Sequence, residues 1–178
     1  MKKRSQNIII FFLTILLIII LIFLDQYTKS LAFHYLRNRE NIIIIPGVLE
    51  LTYLENTGAA FSMMESVSIF QKIMSVLTPI IIAFAAFILI RMPKIRRYLP
   101  LYTVIVFVIS GALGNYIDRI LHQRVIDFIY FSIINFPVFN VADIYVSLGV
   151  IALLIMMAFI YSDKELEDIF YFKAKENS

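Results

Sequence analysis

Apolar positions in this chain gather into four long runs, and the polar positions collect between and beyond them. The first run is Ile8 to Leu24, the second Val67 to Ile90, the third Tyr98 to Ile117, and the fourth begins near Phe139 and ends near Tyr161. A bilayer core takes about 20 apolar residues in a helix. The pattern therefore predicts an α-helical membrane protein with four transmembrane helices, approximately 8–28, 67–90, 98–117 and 139–161, in one integral membrane domain over 1–178. Pro79 lies inside the second run and is expected to kink it, which neighbouring helices accommodate in a membrane.

The polar flanks orient the spans. Lys2, Lys3 and Arg4 precede the first, and RMPKIRR (Arg91 to Arg97) puts four cations between the second and third. Cytoplasmic loops carry such an excess of Lys and Arg. Both segments are expected in the cytoplasm, with both termini inside, and the connections 30–66 and 118–138 on the outer face. A secretory signal peptide is the alternative for the first run. No small-x-small pattern follows it, since the chain continues into Asp25-Gln-Tyr-Thr-Lys29, so a retained helix is the better reading. The tail, 162–178, has mixed charge and is read as a cytoplasmic segment with a short amphipathic helix at the interface.

The outer connections have a pattern of their own. Ile42 to Ile45 is β-branched, Pro46-Gly47 is turn chemistry, and Val48 to Glu55 alternates apolar and polar. A small hairpin or sheet is expected there, and Val125 to Phe136 is also β-prone. An apolar outer surface suits a substrate that is itself partly in the membrane, and a lid that only shields helix ends is the alternative.

Composition narrows the function. The chain is 61% hydrophobic and 16% charged, whereas soluble domains are about half apolar and a quarter charged. A net charge of +3 does not indicate a nucleic-acid partner. The absence of cysteine excludes disulfides, thiolate nucleophiles and Cys-ligated zinc. The two histidines, His34 and His122, have no partners at ligand spacing. No metal and no cofactor are expected.

The remaining polar groups cluster in Gly111 to Asp143. Asp127 follows span three and Asp143 opens span four, so topology brings both to one membrane face. A close carboxyl pair shares a proton, and a water between the two can lose a proton to one while the other donates to a carbonyl. A helix cap and an ion-pair partner would explain the same two residues. With Asn140 as N-cap, Asp143 falls at the third helical position, where the helix dipole favours negative charge. Asn115 and Arg119 share a helix face and either position the pair or, through Arg119 and Asp118, anchor the helix with an ion pair. Gly111 and Gly114 permit close helix approach. Asp25 and Lys29 are spaced as a structural ion pair at a helix C-terminus, and Asn56-Thr-Gly reads as a turn whose asparagine is able to hydrogen-bond an extended peptide.

In order along the chain, Asp25-Gln-x-Thr-Lys29, Asn56-Thr-Gly-Ala-Ala-Phe61, Gly111-Ala-Leu-Gly-Asn-x-x-Asp-Arg119, Val125-x-Asp-Phe128 and Phe139-Asn-Val-Ala-Asp143 resemble lipoprotein signal peptidase, the bacterial membrane aspartic peptidase (signal peptidase II). The resemblance covers nearly the whole chain. It implies four transmembrane helices with a small extracytoplasmic β-cradle and an outer loop, in the bacterial cytoplasmic membrane. It implies Asp127 and Asp143 as the catalytic dyad. Asp25, Lys29, Asn56, Asn115, Arg119 and Asn140 would support the dyad or bind substrate, and Asp118 would be structural. The implied substrate is a diacylglyceryl-prolipoprotein, cut just before its lipidated cysteine, by an enzyme that works as a monomer among membrane lipid. A proton-coupled carrier would instead hold its acids near the bilayer midplane, and a metal-dependent head-group transferase would want a dense D-x-x-D cluster, which is absent.

Overall fold

The computed structural model describes residues 2–57 and 67–170, and the stretch from Gly58 to Phe61 in the second motif lies outside them. Helices α1 (Lys2–Leu36), α2 (Val67–Arg91), α3 (Leu99–His122) and α4 (Val141–Phe159) are each long and apolar enough to cross a membrane. Strands β1 (Ile42–Ile45) and β2 (Leu49–Asn56) separate α1 from α2, and β3 (Val125–Phe131) separates α3 from α4. A short helix α5 (Asp163–Phe170) ends the described chain. By chain order, all three strands stand at one end of the bundle, and α5 stands at the other with the basic α2–α3 connection.

Helix α3 is the centre of the bundle. Half of its most apolar stretch is buried, against 17% for α1, 6% for α2 and 11% for α4. Tyr102, Ile105, Val106 and Ile109 of α3 form the core with Leu21 of α1 and Leu89 of α2. The outward faces of the other helices stay apolar and exposed, as at Phe12, Ile90 and Phe159, which is how a surface solvated by lipid tails is built. Without a hydrophobic drive between helices in lipid, close packing must come from small residues. Gly111 and Gly114 supply it: a Cβ on Gly111 would run into the Ala142 carbonyl, and one on Gly114 would lie 2.5 Å from an Asp25 carboxylate oxygen.

The sheet is antiparallel in the order β1-β2-β3. The β1–β2 hairpin turns through Pro46-Gly47-Val48, where the Val48 N–H donates to the Ile45 carbonyl at 3.0 Å. Pairing of β2 with β3 is interrupted between Leu51 and Leu54, and resumes with Leu54 opposite Asp127, Glu55 opposite Ile126 and Asn56 opposite Val125. Phe128 and Leu51 of the sheet pack on Ala32 and Leu36 of α1. That packing explains why α1 does not end near residue 28: its last two turns are the post on which the sheet rests. Asp25 and Lys29 are therefore inside a helix, and the helix-terminus argument for their pairing does not apply. Helix α3 likewise runs past Ile117 to His122, so Asp118 and Arg119 are helical rather than the start of a loop.

At the far end, α5 is the amphipathic helix expected of the tail. Ser162 and Glu165 cap its start, Leu166 and Ile169 pack on the bundle core, and Arg97 holds Glu165 at 2.8 Å. Tyr98 and Tyr161 stack with centroids 5.6 Å apart, which ties this end of α4 to the α2–α3 connection. Residues 171–178 lie outside the described chain.

Candidate active site

Asn140 is the hinge of the site. The chain reaches it from an extended stretch, Phe139 having paired with Ile129 of β3, and α4 starts at the next residue. Its side-chain oxygen accepts the Asp143 N–H at 3.0 Å while its own N–H donates to Asp143 Oδ2 at 3.1 Å, a reciprocal capping box. Its amide nitrogen donates to Asp127 Oδ1 at 2.6 Å and to Asn115 Oδ1 at 3.1 Å. One fully buried asparagine thus bonds both acids, one on β3 and one on α4.

The two acids differ in setting. Asp127 is buried (1% exposed) and its Oδ2 accepts from the Asn56 amide at 2.8 Å. Burial, reinforced by the charge of Asp143, pushes its pKa up to about 6, although the amides of Asn56 and Asn140 and the charge of Lys29 pull the other way. Asp143 is only half-buried. Its Oδ1 accepts from Asn115 Nδ2 at 2.7 Å, and it sits in the first turn of α4, where the helix dipole favours negative charge.

Beneath the pair lies a closed ionic layer. Lys29 Nζ reaches Asp25 Oδ2 and Asp118 Oδ2, each at 2.8 Å, and Asn115 Oδ1 at 2.9 Å. The ammonium donates hydrogen bonds to Asp25 and Asn115, and Asp118 faces it as a second buried counter-charge. Asp25, with no exposed surface, also accepts the Ala142 N–H at 2.9 Å, so α1 caps α4 through the backbone. Asp118 pairs with Lys29 rather than serving as an anchor for Arg119. Arg119 is half-buried, reaches its own helix at the Asn115 carbonyl, and lies in the field of Asp143, Asp127 and Asp118.

All eight candidate residues therefore converge on one end of the bundle, from α1, β2, α3, β3 and α4. Sequence reasoning gave no role to Gln26, whose amide donates to Asp118 Oδ1 at 3.0 Å and to the Gly114 carbonyl at 3.1 Å. Its signal was its place one residue after Asp25 in the first motif. A cavity of about 250 Å³ beside this layer is lined by Gln26, Lys29, Asp118, His122 and Arg124. His122 thus borders the ionic layer, while His34 bonds only its own helix, at the Ser30 carbonyl.

Fold and site together define a multi-pass membrane protein with an acid-bearing polar centre at the sheet end of its bundle. The family model described as signal peptidase (SPase) II matches residues 17–159. Lipoprotein signal peptidases from Streptococcus pyogenes serotype M1 and Streptococcus thermophilus strain CNRZ 1066 are each 38% identical over 137 residues, spanning 77% of this chain and 87% and 86% of theirs. Among solved structures, a bacterial membrane enzyme determined in meso at 1.9 Å superposes with a TM-score of 0.70 at 29% identity, covering 83% of this chain and 94% of that one. A second, at 2.3 Å, gives 0.66 at 28% identity, with 93% of each chain covered. The chain belongs to the signal peptidase II family. It is a membrane peptidase that removes signal peptides from prolipoproteins.

Proposed function

We propose that the peptidase is of the aspartic type, with Asp127 and Asp143 as the catalytic pair, and that it cuts diacylglyceryl-modified prolipoproteins just before the lipidated cysteine. The observation that carries this reading is the bridge through Asn140, which bonds a buried carboxyl and a half-buried one. A water seated between them loses a proton to Asp143 as its oxygen attacks the scissile carbonyl carbon, and Asp127 gives its proton to the carbonyl oxygen. The tetrahedral intermediate then collapses: the carbon–nitrogen bond breaks, the proton on Asp143 passes to the leaving amine, and Asp127 recovers its proton from the hydroxyl. Asn115 and Asn140 orient the carboxyls, Asn56 holds Asp127, and Arg119 faces the charge that develops on the substrate. Asp25 and Lys29 seat α4 against α1 and α3. The positive-inside pattern supports both termini in the cytoplasm and the site at the outer face of the bacterial cytoplasmic membrane. There a monomer meets a substrate anchored by its own lipid.

The purified chain in detergent or lipid is expected to cleave a diacylated prolipoprotein, and to do so equally with a chelator present. No cleavage under either condition would sink the reading, and loss with chelator alone would replace the dyad with a metal. The pH profile is a second check. Asp127 must carry its proton to act as acid, and its pKa is about 6, so kcat/KM is expected to fall as pH rises through that region. A profile that instead climbs from 5 to 7 would assign the acid role elsewhere.

A further inference from the structure

Asn56 meets Asp127 from the last residue of β2, and on the other face of the same strand lies a cluster that the chemistry above does not use. Glu55 is at its centre. It accepts the Tyr53 hydroxyl at 2.7 Å, pairs with Arg124 at 3.2 Å, and stands 3.7 Å from Arg37. Arg37 lies over the Phe33 ring, 4.8 Å from its centroid, and Phe33 meets Tyr53 edge-on at 6.2 Å. These groups come from α1 and the turn after it, from β2, and from the turn between α3 and β3. They join three elements around one carboxylate. Tyr53 is pushed up to about 12 by burial and by the charge of Glu55, so it stays a donor.

The sheet explains why the cluster bears on the site. Side chains alternate along a strand, so Tyr53 and Glu55 share one face of β2 while Leu54 and Asn56 share the other. Glu55 lies opposite Ile126 and Asn56 opposite Val125, which sets Arg124 diagonal to Glu55 and Asp127 diagonal to Asn56. The ladder is broken between Leu51 and Leu54, so this end of β2 is not held in register by the residues before it. Partly exposed ion pairs of this kind contribute little to stability. Their use here is geometric.

We propose that Glu55, clamped by Arg124, Arg37 and Tyr53, is a positioning residue that fixes the end of β2 so that the Asn56 amide meets Asp127. This rests on Asp127 being a working acid, and the test separates the two ideas. Asp127 faces Asn56 from β2, Asn140 and Asp143 at the start of α4, Lys29 from α1 and Arg119 from α3. The titration of Asp127 is followed by carbon-13 carboxyl NMR in the full chain, whether or not it cleaves, beside kcat and KM. Deleting the charge of Glu55 by direct electrostatics would lower the Asp127 pKa, because a like charge is removed. Loosening the Asn56 bond raises it. In Glu55→Gln an upward shift is expected, about half a unit, with kcat down roughly tenfold and KM nearly unchanged. Glu55→Asp, one methylene shorter, should give a smaller shift of the same sign. In an Asn56→Ala background Glu55→Gln should add no upward shift. An unchanged or lowered Asp127 titration in Glu55→Gln, or the same upward shift in the Asn56→Ala background, overturns the proposal. A wild-type chain that titrates as described but does not cleave would overturn the aspartic reading and leave the clamp standing.

Discussion

Asp127→Asn and Asp143→Asn should each lower prolipoprotein cleavage by at least about a thousandfold, since on the proposed chemistry each removes a group that moves a proton in the transition state. The fold should survive both. Asn keeps the size of Asp, and in Asp127→Asn the amide oxygen is able to keep the bond from Asn140 or from Asn56, though not both. In Asp143→Asn one of the two donors now at the carboxylate, the Asn140 N–H or the Asn115 amide, meets an NH₂ instead. A mismatched donor costs about 1–3 kcal/mol, which lowers the melting temperature without unfolding the protein. The measurement is turnover of a diacylated prolipoprotein beside a thermal melt in the same detergent. Retention of more than a tenth of wild-type turnover by either variant, in folded protein, would remove that residue from the proposed pair.

Lys29→Met should have the largest effect on stability. The substitution leaves Asp25 and Asp118 facing each other's charge with no cation, and takes a donor from Asn115. Removing one partner of a buried ion pair costs about 3–5 kcal/mol, and here two carboxylates lose the same partner. Neutralising one of them should recover part of the loss: Lys29→Met with Asp118→Asn is expected to be more stable than Lys29→Met alone. A chemical or thermal melt of the two variants beside the wild type decides it. If Lys29→Met melts within about 1 kcal/mol of wild type, the layer does not hold the bundle. Activity should fall with it, because the same ammonium fixes the Asn115 that reaches Asp143.

Much of this was legible in the sequence because the relevant physics is local. Apolar runs of membrane-spanning length gave the four helices, and the β-branched and alternating stretches around Pro46-Gly47 gave the hairpin. Asn140 and Asp143 declared a helix start by their spacing, and the capping box has that geometry. Gly111 and Gly114 announced a close approach and make one. What depends on packing between distant segments was not legible. Helix α1 extends to Leu36 because the sheet packs on Ala32 and Leu36, and no pattern within 25–36 signals that support. Asp118, adjacent to Arg119, pairs instead with Lys29 from another helix, because the i,i+1 neighbours on a helix do not face each other. Gln26 and the Glu55 cluster also needed the fold, since their charged partners, Asp118 for Gln26 and Arg37 and Arg124 for Glu55, come from elsewhere along the chain.

Asn140 starts α4 and bonds both acids with the same few atoms, and Asp25 of α1 accepts the Ala142 N–H in the same first turn. On the proposed chemistry, a cutting centre does not exist in a chain whose last span is unwound or not yet seated against the first. A peptidase that is itself threaded into the membrane segment by segment is thereby harmless during its own biogenesis. On that reading the two acids are bridged through Asn140 only when the final helix is in place, and completion of the bundle is what assembles the site.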